Sequence, residues 1–205
     1  MWTASARSDA GIILALAAVA LPTMASAQGD DPVTAFTGGY AGGEAGLHEH
    51  HFFIERTDAA TGRAQGRYYR SWDVGGGVFA GYDHAVAPRV RLGGEIGISL
   101  GGGSPVAQLP TGTYSQHPQW GYRATAKAGY LLSNRTLAYG SFGYGGHRYR
   151  IDNRAGVLDA HPWNSSFTIG AGVEHRLSER AALRLDFRHL DNSMSHLLIG
   201  VPIRF

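Results

Sequence analysis

An all-β fold, an eight-stranded antiparallel up-and-down transmembrane β-barrel, is predicted by three observations. Apolar and polar residues alternate with a period of two, the polar face is loaded with glycine and paired charges, and short and long links alternate between the runs. The last run shows the alternation plainly. Leu197, Ile199, Val201, Ile203 and Phe205 share one face, and His196, Leu198, Gly200, Pro202 and Arg204 share the other. One run earlier, Leu183, Leu185 and Phe187 oppose Arg184, Asp186 and Arg188. Phe167, Ile169, Ala171 and Val173 oppose Thr168, Gly170, Gly172 and Glu174. From Trp120, the residues Tyr122, Ala124, Ala126, Ala128 and Tyr130 oppose Gly121, Arg123, Thr125, Lys127 and Gly129. Val90, Leu92, Ile96 and Ile98 oppose Arg91, Gly93, Glu95 and Ser99.

A soluble sandwich would alternate too, turning its apolar faces inward. Glycine is wasted on a face that looks at water, however, whereas a narrow closed lumen needs it for room. Long charged side chains of both signs on that same face need one another in such a lumen. The expected lumen charge network is Glu44, Asp73, Arg91, Glu95, Arg123, Lys127, Glu174, Arg184, Asp186, Arg188 and Arg204. Aromatics near the run ends (Trp72, Tyr82, Trp120, Tyr130, Phe205) suit the two membrane interfaces.

The links set the strand count. Ala85–Arg89, Leu132–Arg135 and Leu177–Arg180 are short turns, and Glu49–Tyr69, Gly101–Pro118 and Ile151–His161 are long polar segments. Strands are therefore expected at 34–48, 70–84, 90–100, 119–131, 136–150, 163–176, 181–190 and 195–205. In the fifth, Tyr139, Phe142, Tyr144 and Tyr149 do not keep one parity. An even strand number places both mature termini on one side, the periplasmic one. Closure is required because an open edge in lipid leaves backbone groups unpaired.

The N-terminus reads as a signal peptide over residues 1–27, with the barrel domain at 28–205. Arg7 precedes the apolar stretch Gly11–Leu21, Pro22 breaks it, and Ala25-Ser26-Ala27 offers small residues at a cleavage site. That stretch is too short to cross a bilayer as a helix. The 205 residues carry 30 glycines, no cysteine and a formal charge of +2. Absent cysteine removes thiol catalysis and thiolate metal sites. Without a Lys/Arg-rich run, nucleic acid is not an expected partner. No HExxH, phosphate-binding loop or nucleotide fingerprint is present, and no cofactor is expected.

Several segments in order resemble one family. Gly38-Gly39-Tyr40-Ala41-Gly42-Gly43-Glu44-Ala45-Gly46 resembles the opening strand of the small outer-membrane β-barrel proteins common in alphaproteobacteria. These are loosely related to OmpA-like domains and opacity proteins, and are sometimes called porins. Arg123–Tyr130 with Arg135–Gly140 resembles the family's central hairpin, and Gly170–Glu174 and Leu183–Asp191 its penultimate strands. Gly200–Phe205, with Val201, Ile203 and the terminal Phe205, resembles the C-terminal signal read by the barrel-assembly machinery. Pro202 departs from that pattern and is expected to weaken pairing locally. The resemblance implies residence in the outer membrane, among its lipids and lipopolysaccharide, and leaves activity open.

The expected role is non-enzymatic: a structural or surface-interaction barrel with a plugged lumen, whose loops make the contacts. Three alternatives stand beside it. A narrow porin-like channel is one, against which an eight-stranded bore speaks. Metal or haem capture is another, because His48-Glu49-His50-His51 is the densest ligand cluster, with His117, His147 and His161 expected at the same rim. His48, His50 and His51 are its candidate ligands. The last is a hydrolase, because Arg188-His189-Leu190-Asp191-Asn192-Ser193 resembles faintly the His-x-Ser-Asn motif of lipid A deacylases. Asp191 stands there in the nucleophile's place, so no catalytic residue is assigned.

Overall fold

The computed structural model describes residues 34–57, 63–109, 112–153, 163–190 and 194–205. The expected signal peptide and its cleavage site lie outside the described residues. Among the described residues nine strands form one antiparallel sheet: β1 (Gly38–Thr57), β2 (Ala64–Ala87), β3 (Val90–Gly101), β4 (Val106–Leu109), β5 (Gly112–Ser133), β6 (Thr136–Asn153), β7 (Trp163–Arg176), β8 (Ala182–Leu190) and β9 (Met194–Arg204). Eight of them close a ring. Within the ring each strand pairs with the next, β3 reaching past β4 to pair with β5, and β1 pairs with β9 to close it. No barrel strand is left with an unpaired edge, the condition lipid imposes on a spanning sheet.

The ninth strand corrects the expected layout of the loops. The segment after β3 is expected to be a long polar link, but β4 folds back on the start of β5, with Val106 opposite Ser115 and Leu109 opposite Gly112. The first long link is also mostly strand, since β1 and β2 stay in register out to Thr57 opposite Ala64. Alternation of Thr, Tyr, Arg and Phe in these polar stretches still offers a pleated surface to pair on. At the other end the expected strand start, residue 34, moves to Gly38. Thr34–Phe36 form a turn, with Phe36 at φ 57° and Gly38 at φ 94°. Ala35 and Phe36 tuck against Leu131 and Leu137 and close that end of the barrel.

Period-two patterning holds on both faces. Outward side chains are large and apolar: Ile96, Phe142, Phe167, Ile169, Leu185 and Ile199 are each more than half exposed. Inward ones are charged and buried. Tyr82 and Trp72 lie ten residues apart on the outer face of β2, a separation of about 25 Å for a strand tilted by about 40°. That matches the height of a lipid-facing band. Trp120 and Trp163 pack edge to face beside it, with ring centroids 4.8 Å apart.

β6 keeps strict parity despite its mixed aromatics. Leu137, Tyr139, His147 and Tyr149 are buried on the inner face, while Phe142 and Tyr144 are exposed on the outer. The pattern had looked broken because two tyrosines fill the lumen rather than face lipid. Pro202 leaves a visible mark. The β8–β9 ladder runs from Leu190 opposite Met194 to Arg184 opposite Gly200, then lapses, and resumes only as an isolated bridge from Ala181 to Ile203. Proline has no N–H to give that ladder.

Candidate functional site: the filled lumen

Two layers of ion pairs cross the barrel. Near the chain termini, Lys127 and Arg204 share two carboxylates. Lys127 Nζ lies 2.9 Å from Asp83 Oδ2 and 3.1 Å from Glu174 Oε1. Arg204 Nη2 lies 2.9 Å from the same Asp83 oxygen and 2.9 Å from Glu174 Oε2. The four groups come from β2, β5, β7 and β9, so the quartet ties together strands from around the ring. Charges alternate around it, and each cation touches only opposite charge.

The second layer is built on Glu44 and Glu95. Arg123 Nη1 reaches Glu44 Oε1 at 3.0 Å and its Nη2 reaches Glu95 Oε1 at 2.6 Å. Arg184 bridges the same two acids, at 3.0 Å to Glu44 and 2.5 Å to Glu95. Arg188 grips Glu44 with both terminal nitrogens at 2.8 Å and holds Asp186 Oδ1 through Nε at 2.6 Å. Tyr139 donates to the other Asp186 oxygen. Tyr40 joins the layers: its hydroxyl accepts from Lys127 Nζ at 3.2 Å and donates to Glu95 Oε2 at 3.0 Å. Five carboxylates thus face five cations, and all ten are buried. Multidentate guanidinium contacts are what make such burial tolerable, because charge-assisted bonds replace much of the lost hydration.

Aromatic rings fill the remaining width. The Arg184 guanidinium lies 3.8 Å over Phe79, and Lys127 Nζ sits between Tyr40 and Tyr139, 4.7 and 4.8 Å from their ring centres. Opposite these rings the wall is glycine. A Cβ at Gly81 would stand 2.5 Å from Tyr40 Oη, and one at Gly97 would collide with the Arg123 guanidinium.

Of the eleven residues expected to form this network, the structure places Glu44, Glu95, Arg123, Lys127, Glu174, Arg184, Asp186, Arg188 and Arg204 in it. Asp73 is a correction. It is exposed and accepts a hydrogen bond from the Val74 backbone N–H at 2.7 Å, because β2 at that height has risen past the charged layers. Arg91 is buried but lies below the network, donating to the carbonyl oxygens of Ala35, Ala87 and Val90 under the barrel. Asp83 was missed. It sits on the same inward parity as Phe79 and Gly81, a signal masked by its position at the expected strand end.

The histidines are sorted differently from the expectation. His48 and His50 point inward, where they meet His147 of β6 and His196 of β9. His51 has the opposite parity and packs its ring against Tyr68, so it cannot join the other two at one ion. His117 is held by Ser104, Ser115 and Asp152 in the β4–β5 hairpin. His161 lies outside the described residues. His196 had been read as inward-facing but not as a ligand. Its tie to His48 is the β1–β9 closure, in which the two residues stand directly opposite.

His189 and Ser195 pair on the outer face, with Nδ1 3.0 Å from Oγ. The carboxylate nearest in register, Glu49, stands on the far side of Ser195. That order, acid beside serine, is not the one in which an acid orients the imidazole of a nucleophilic pair. Asp191, Asn192 and Ser193 lie outside the described residues.

No curated protein sequence matches the chain. Among solved structures, the attachment invasion locus protein Ail of Yersinia pestis superposes with a TM-score of 0.47 at 13% identity, over 82% of this chain and 99% of that one. Neisserial surface protein A gives 0.47 at 14%, over 82% and 98%. OprG from Pseudomonas aeruginosa gives 0.49 at 11%, over 82% and 97%. The family described as outer membrane protein beta-barrel domain matches residues 12–196. The chain belongs to that outer membrane β-barrel family and resides in the outer membrane.

Proposed function

We propose that this protein is a non-enzymatic, non-conducting barrel that holds its loop end at the cell surface for contact with lipopolysaccharide or other surface ligands. The ten-charge network carries the reading. Its five acids and five cations are buried, bonded at 2.5–3.1 Å and drawn from seven strands, so an ion passing through would have to part pairs held in the barrel interior. The turn of Thr34–Phe36 shuts the terminal end as well. Among the described residues, the extended β1–β2 and β4–β5 hairpins, rich in Arg, Tyr and His, make up much of the loop end. Arg70 and Arg67 lie there over Tyr68 and Tyr69, cationic and aromatic surfaces that suit phosphorylated sugar head groups. A leader over residues 1–27, removed on export, and recognition of Val201, Ile203 and Phe205 by the assembly machinery complete the proposal. The test is conductance of the purified barrel in planar lipid bilayers. A folded, silent protein is the expected result, and steady unit openings would replace this reading with a channel.

A further inference from the structure

We propose that the loop end of the lumen is a binding site for one divalent transition-metal ion of the imidazole-preferring class, held by His48, His50 and His196 with His147 as a fourth donor. The potential ligand atoms of His48, His50 and His196 lie within 4.8 Å of one another. His147 closes the fourth side, its ring centre 5.0 Å from that of His50 and 6.1 Å from that of His196. All four rings are buried, at 0–5% exposure. Their Nε2 atoms share a second property: each is enclosed by protein and has no hydrogen-bond partner among the described residues. Buried ring nitrogens are ordinarily satisfied, and the three clustered orphans of His48, His50 and His196, with that of His147 beside them, ask for an acceptor of their lone pairs. A transition metal is that acceptor. Neutral imidazole is a preferred ligand of zinc, copper and nickel, and a tetrahedral ion about 2.0 Å from each nitrogen draws donors to about 3.3 Å apart. His48 and His196 are stacked, with ring centres 4.0 Å apart and planes 13° from parallel, so binding an ion requires both rings to turn toward it.

Two further features fit an ion better than a plug of packed rings. His50 Nδ1 lies 2.8 Å from Tyr149 Oη, the outer bond that fixes which imidazole nitrogen faces the metal. The backbone also approaches the nitrogens so closely that only glycine fits beside them. A Cβ at Gly102 would stand 2.5 Å from His50 Nε2, and one at Gly75 would stand 2.5 Å from His48 Nδ1. Gly102 has φ +112° and its neighbour Gly103 donates its N–H to His48 O at 3.2 Å, so this glycine segment lies across the histidines as their cover. The nearest charged neighbours, Glu44 and Arg188, are committed to each other in the layer below. The site is therefore charge-neutral before the ion arrives.

The full protein, purified from outer membranes in detergent and stripped with a chelator, is titrated with Co2+ and then with Zn2+. The expected result is one Co2+ per chain, with the visible absorption of a tetrahedral nitrogen site, displaced by Zn2+. The pair His50→Ala and His196→Ala should weaken binding by at least about 100-fold, and Tyr149→Phe by about 10-fold with the stoichiometry kept. His51→Ala and His117→Ala should bind as the parent does. If the double variant fails the heat-modifiability test for a folded barrel, His196→Gln is read in its place. No stoichiometric ion in the parent overturns the proposal. So does unchanged affinity in the folded histidine variants, or a loss that follows His51 or His117 instead.

Discussion

Arg188 and Glu44, 144 residues apart, meet in a two-pronged ion pair: Nη1 and Nη2 each donate to a different carboxylate oxygen at 2.8 Å. They belong to β8 and β1, which do not touch as strands, since β9 lies between them. The pair therefore spans the lumen wall rather than a ladder. Arg123 and Arg184 bind the same carboxylate from other directions, which makes Glu44 the hub of its layer.

Glu44→Gln should accordingly cost about 3–5 kcal/mol, because three guanidinium groups lose their common anion in a buried site. Urea unfolding in detergent, followed by tryptophan fluorescence, measures this. Adding Arg188→Met to Glu44→Gln should recover part of the loss, with a coupling of about 0.5–3 kcal/mol. Strict additivity would show that the two side chains do not act as a pair.

Tyr40→Phe tests the link between the layers. The ring stays beside Lys127 and Arg204, but the hydroxyl that accepts from Lys127 and donates to Glu95 is gone. A loss of about 1–3 kcal/mol is expected, as for a buried bond with partners left unsatisfied. A change under a few tenths would mean the two layers are independent.

Two glycines should respond in opposite ways. Gly81→Leu drives a side chain into Tyr40 and should destabilise by about 1–3 kcal/mol, the range for overpacking. Gly43→Ala faces outward with its nearest neighbour 3.8 Å away, and should be neutral or slightly stabilising. Thermal mobility shifts on electrophoresis rank the two. Equal effects would mean that strand flexibility, not lumen space, explains the glycines.

Leu185→Arg places a charge at mid-height on the lipid face, where Leu185 is more than half exposed between Val173 and Ile199. The expected cost is about 2–4 kcal/mol, seen as reduced folded protein in outer-membrane fractions. Assembly at the parental level would mean that this face does not meet lipid.

The sequence by itself determined the class of fold, both faces of most strands and the three tight turns. Those properties are local: parity along one strand shows in consecutive residues such as Leu183 to Arg188, and lipid outside with charge inside sorts them without knowledge of neighbours. Local reading failed where a strand carried large side chains on both faces, as with Tyr139 and Phe142 of β6. It failed again where polar strands ran on above the membrane, as in β1, β2 and β4. Only the tertiary structure decided who meets whom. Asp83 joins Lys127 and Arg204, Asp73 does not join them, and His48 finds His196 instead of its near neighbour His51. Each of these depends on ring closure and on the register of β1 against β9, which are set by the whole sheet at once. A one-residue slip there would turn every one of those side chains to the other face.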